Sequence, residues 1–95
     1  MRTVAVQYTL HQPHRNYTLL WNHLRSIGAV HVLDSFWLVR TTSTAKQVYE
    51  VAANYIDGND ELLTMDVTGD AWWTNLRDPK VVQWMHGNMG TLRAA

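Results

Sequence analysis

The densest grouping of chemically active side chains is Tyr8, Thr9, His11, His14 and Arg15. An imidazole titrates near pH ~6.5 and can move a proton at neutral pH. A guanidinium donates charge-assisted hydrogen bonds to phosphate. The stretch therefore has the side chains to contact a phosphate backbone. It also has what metal-free phosphodiester cleavage needs, with His11 or His14 as general acid/base and Tyr8 or Arg15 stabilising phosphate charge. A solvated loop would carry the same residues with no chemistry at all. His11 and His14 are spaced for ligation on a helix, but Pro13 opposes a helix there and no carboxylate lies nearby in sequence. No metal is expected at this loop. Arg40 is the other cation expected to touch a partner.

Other candidates have simpler explanations. A catalytic Ser35 would need a base and an orienting acid, for which only His31 offers itself. Asp and Ser favour turns through local side-chain to backbone bonds, which accounts for Asp34-Ser35. Asp57, Asp60 and Glu61 do not follow the spacing of a calcium loop and read as a solvated acidic turn. Trp72-Trp73 could stack on bases, though paired Trp is more commonly interface surface. No catalytic residue and no cofactor is assigned.

The elements that must hold these residues follow from periodicity. Thr3 to Leu10 alternates as a strand, with Val4, Val6 and Tyr8 on one face and Thr3, Ala5 and Gln7 on the other. Asn16 is the expected N-cap of a helix whose apolar stripe is Tyr17, Leu20, Trp21, Leu24 and Ile27, stopped by Gly28. Ala29–Leu33 and Phe36–Thr41 flank Asp34-Ser35 as an antiparallel hairpin. Thr44 and Gln47 form a capping box before a second helix with the stripe Val48, Val51, Ala52, Tyr55 and Ile56. Asp57–Asp60 breaks that helix, and Glu61 to Val67 makes a fourth strand. Ala71–Thr74 is an aromatic extension. Pro79 sits in the first turn of a last helix, and the tail after Gly90 frays.

The order β-α-β-β-α-β predicts a single α+β domain over residues 1–95. It is a ferredoxin-like sandwich with core 3–68, two helices on one face of a four-stranded antiparallel sheet, and a C-terminal extension and helix over 70–89. The sheet's second face also needs a cover. A second copy of the chain is preferred over the C-terminal helix or a nucleic acid, with Trp37, Trp72 and Trp73 at the dimer interface.

Composition narrows the function classes. The chain has no cysteine, which excludes disulfides, thiolate metal sites and a Cys nucleophile. Eight Lys/Arg balance eight Asp/Glu, against the basic surplus of a dedicated nucleic-acid binder. A strand pattern begins at Thr3, and no apolar run approaches the ~18 residues of a membrane span. The chain is read as cytoplasmic, with no membrane partner.

The strand end Val6-Gln7-Tyr8-Thr9-Leu10, the helix Leu20 to Gly28, the hairpin Leu33 to Thr41 and Asn59-Asp60-Glu61-Leu62-Leu63 resemble the bacterial SinR-family small proteins. These are similar in fold to the CRISPR-associated spacer-acquisition proteins and to VapD-type toxins. The most specific portion is Asp34-Ser35-x-Trp37-Leu38-Val39-x-Thr41. The resemblance implies a homodimer. It also implies a divalent-cation site at the dimer axis, ligated by an Asp that ends the first strand. The matching position here is Thr9, whose neutral hydroxyl cannot supply the charge a Mg²⁺ site needs. The resemblance therefore implies a protein that keeps fold and dimer, lacks metal-dependent nuclease chemistry, and binds a nucleic acid or a protein. A metal-independent ribonuclease or toxin using His11 or His14 is one alternative. A structural module of a defence or phage assembly is the other, and the zero net charge favours it.

Overall fold

The computed structural model describes residues 1–11, 17–69, 71–88 and 92–94, and of Trp72 and 92–94 the backbone alone. The elements run β1 (Arg2–Thr9), α1 (Thr18–Ser26), β2 (Val30–Leu33), β3 (Phe36–Thr41), α2 (Ala45–Ala52), a 3-10 turn (Ala53–Tyr55), β4 (Glu61–Asp66), β5 (Ala71–Trp73), α3 (Pro79–Asn88) and β6 (Leu92–Ala94). The result is an α+β chain with a four-stranded antiparallel sheet in the order β2-β3-β1-β4. A parallel pair, β5 with β6, stands apart from it.

Local signals explain the boundaries. Helix α1 ends in a Schellman motif: the Ala29 amide donates to the Leu24 carbonyl at 3.0 Å and the Gly28 amide to Arg25 at 3.0 Å. That geometry places Gly28 at φ +81, which suits a residue without Cβ. The capping box of α2 is present in full, with the Gln47 amide on Thr44 Oγ1 at 3.1 Å and the Thr44 amide on Gln47 Oε1 at 2.9 Å. The expected cap Asn16 lies outside the described residues, and α1 starts from Tyr17.

Alternation along the strands sorts the core onto two faces. Val4, Val6 and Tyr8 of β1 meet Trp37 and Val39 of β3 beneath Leu20 and Leu24 of α1 and Val48 and Ala52 of α2. On the second face, Ala5 and Leu38 pack under Val81 and Met85 of α3, joined by Val30, Val32, Phe36, Trp73 and Trp84. A second copy was the expected cover there. The chain's own C-terminal helix takes the place instead, because Val81 and Met85, four apart, put one apolar stripe of α3 over the sheet. A three-centre latch holds its end: Arg40 Nη1 donates to Thr3 Oγ1 at 3.0 Å, and that hydroxyl donates to the Asn88 carbonyl at 3.3 Å.

Helix α3 does not cover the whole face. Leu63 and Met65 of β4 point to the same side as Ala5 and Gln7, their register partners, and stay 51% and 47% exposed. Strand β4 is also an outer strand, so one of its edges has no partner strand among the described residues.

Candidate functional site

The C-terminal end of β1 holds Tyr8, Thr9 and His11 of the expected residues and adds others that sequence spacing did not show. Register pairs Thr9 with Glu61 at the start of β4. His11 then lies across the same strand pair, with its Nε2 at 3.0 Å from Glu61 Oε1. The His11 amide donates to Asp60 Oδ1 at 2.7 Å, and the Tyr17 hydroxyl and the Asp57 amide donate to Asp60 Oδ2 at 2.9 and 2.8 Å. Asp60 thus clasps the chain leaving β1 to the chain entering β4. The carboxylates that His11 lacks in sequence are supplied from about fifty positions later by antiparallel pairing.

Electrostatics follow from this clasp. Partial burial pushes the Asp60 carboxyl up. The amides of His11 and Asp57, the Tyr17 hydroxyl and the charge of His11 outweigh it and hold the group below its ordinary value. His11 and Glu61 both remain substantially exposed, so their contact is a solvent-screened pair. A shallow cleft of about 250 Å³ opens beside them, lined by Gln7, Tyr8, Thr9, Glu61, Leu62 and Leu63.

Tyr8 is placed differently from Thr9 and His11. Its ring faces the helix layer at 6% exposure, and its hydroxyl takes the indole N–H of both Trp21 and Trp37 at 3.0 Å each. Trp37 is 1% exposed. Its ring stacks on His31 at 4.4 Å with planes 2° apart, and the Arg25 guanidinium sits 5.5 Å from its centroid. Trp37 was expected at a subunit interface, but the fold of one chain already spends its surface. Trp73 likewise packs within the chain, edge-on to His86 at 5.2 Å. The side chain of Trp72 lies outside the described residues, as do His14 and Arg15.

Arg40 does not join this end. It pairs with Thr3 at the start of β1, six residues from Thr9, or about 20 Å at ~3.3 Å per residue. Its guanidinium serves the latch on α3. Among the described residues no group of three or more His, Asp or Glu side chains could hold a metal ion, and no helix is long and apolar enough to cross a membrane.

Comparison with protein-family models, with curated proteins and with solved structures finds no match.

Proposed function

We propose that this protein is a ferredoxin-like homodimer that works by binding a partner and lacks the metal-dependent nuclease chemistry of the SinR-family and CRISPR-associated proteins it resembles. The strand order β2-β3-β1-β4 supports the frame: β1 and β2, linked through α1, are separated by β3, and β3 and β4, linked through α2, are separated by β1. Thr9 supports the loss of metal chemistry, since a hydroxyl stands where the resemblance asks for a carboxylate.

One observation carries the self-association. Leu63 and Met65 are about half exposed, side by side on the uncovered half of the sheet, along a strand whose outer edge lacks a partner among the described residues. Such an edge is a template for another strand unless something blocks it. Among the described residues the uncovered face carries Gln7, Thr9 and Glu61 beside those two and no Lys or Arg, which suits a protein surface better than a phosphate backbone. The zero net charge lets two copies meet without repulsion. The interface is thereby assigned to β4 and not to the tryptophans. Sedimentation velocity tests it. The unaltered chain is expected to sediment as a dimer, and the double variant Leu63→Lys, Met65→Lys as a folded monomer. A monomer at every concentration in the unaltered chain refutes the assignment.

The His11–Glu61 contact favours a second reading, metal-independent RNA cleavage with His11 as proton carrier and Glu61 holding the imidazole in place. That reading expects RNA cleavage in the presence of a chelator that falls at least ~100-fold in His11→Ala. Cleavage unchanged by that substitution removes it.

A further inference from the structure

The Tyr8 hydroxyl stands between two indoles, 3.0 Å from Trp21 Nε1 and 3.0 Å from Trp37 Nε1. An indole N–H donates and never accepts. The Tyr8 oxygen is therefore the acceptor in both bonds, and its own proton is spent in neither. Among the described residues nothing accepts that proton. Tyr8 is 6% exposed, so an acceptor can reach it only through the small part left open. A buried donor without an acceptor is unfavourable, and such groups mark places where something else supplies the partner.

Tyr8 also lines a cleft of about 390 Å³, within the size range of small-molecule sites. Trp21, His31, Thr9, Asp34 and Ser35 line it with Tyr8. Contacts within the fold position two of the walls. His31 is stacked flat on Trp37, and the Tyr8 amide donates to the Ser35 carbonyl at 3.2 Å, tying the Asp34-Ser35 turn to the end of β1. Among the described residues no Lys or Arg lines the cleft, and Asp34 is a carboxylate. That carboxylate disfavours an anion beside it. The chemistry asks for a flat, neutral molecule with an acceptor for the Tyr8 proton and a donor for Asp34.

We propose that this cleft binds a base bearing adjacent carbonyl and N–H groups, as uracil and guanine do, with the carbonyl on the Tyr8 hydroxyl, the N–H on the Asp34 carboxylate and the ring against Trp21. Such a base can come as a free nucleoside or as an unstacked residue of a single strand, and both present the same edge. The inference names a ligand for the partner-binding reading. It does not depend on β4 pairing, so a monomeric protein would leave it standing.

Tryptophan emission tests it, because Trp21 and Trp37 both touch Tyr8. Titration with uridine or guanosine is expected to change the emission with saturation. Adenosine, which lacks the carbonyl, and 3-methyluridine, which lacks the N–H, are expected to bind at least ~10-fold more weakly. Tyr8→Phe removes the donor but also strips two indoles of their acceptor, so the fold itself is at risk. Asp34→Ala is the cleaner variant: the residue is exposed, and alanine leaves no acceptor for the N–H, whereas asparagine would keep one. It is expected to keep the unaltered melting temperature and lose the preference for uridine over 3-methyluridine. Comparing uridine with a short oligouridylate separates the two sources. Tighter binding of the oligomer assigns the cleft to a strand, and equal binding assigns it to the nucleoside. The proposal is overturned if neither uridine, guanosine nor the oligomer changes the emission. It is equally overturned if uridine and 3-methyluridine bind alike, or if Asp34→Ala keeps the preference.

Discussion

At the residue scale, Asp60 organises the site. One carboxylate accepts from two backbone amides and one phenol, and those donors come from three separate stretches of chain. Its carboxyl is held below its ordinary value of 3.8, so the folded state prefers the ionised form. The stabilisation it gives is complete above the ordinary carboxylate range and is lost as pH falls through the depressed folded value. Asp66, lowered by the hydroxyl and amide of Thr68, adds a slope of the same sign. His23, lowered by burial against Tyr55, resists protonation on folding and costs stability as pH drops below 6.5. Denaturant melts from pH 7 to pH 3 are expected to show stability falling with acid. The slope below pH ~4 should be shallower in Asp60→Asn and not abolished, since Asp66 remains. An unchanged slope in that variant contradicts the clasp. Sequence could not show this arrangement. The spacing of His11 and Asp60 carries no local signal, and the acidic turn 57–60 looks the same whether it faces water or clasps a neighbouring strand.

At the element scale, most of the fold was legible because each element carries a local device. The alternation in β1, the Gly28 stop, the two-residue Asp34-Ser35 turn and the Thr44/Gln47 box all act through near neighbours, and all four stand in the structure. The cover of the second face was not legible. Val81 and Met85 form a stripe that would suit a partner chain or this chain's own sheet equally, and only the return path through residues 66–79 decides. Nor could alternation say which face of the sheet each helix takes, so Trp37 looked available for an interface when it is buried under α1. The hairpin turn offers a direct check. Ser35 has φ +60, a left-handed backbone that costs a residue with a Cβ about 1–2 kcal/mol. Ser35→Gly relieves that strain but enlarges the freedom of the unfolded chain, for a net gain of up to ~1 kcal/mol in urea unfolding. A loss of stability would mean that the Ser35 side chain contributes more than its backbone costs.

At the scale of the whole molecule, covering a sheet with one chain's helices leaves a remainder. Two helices close the centre of the first face, as the near-zero exposure of Val4, Val6, Leu20, Leu24 and Val39 shows. One shorter stripe from α3 closes the β2, β3 and β1 portion of the second face and leaves β4 bare. A chain this small has little further surface to bury on its own. Association along β4 would add strand pairing and apolar burial together. Hydrogen exchange at the outward-facing amides of β4, followed across protein concentration, reads that association at the atoms involved. If copies associate along β4, these amides exchange freely in dilute protein and become protected as concentration rises, while amides of β2 at the opposite edge do not change. Exchange of β4 that is independent of concentration would contradict that association.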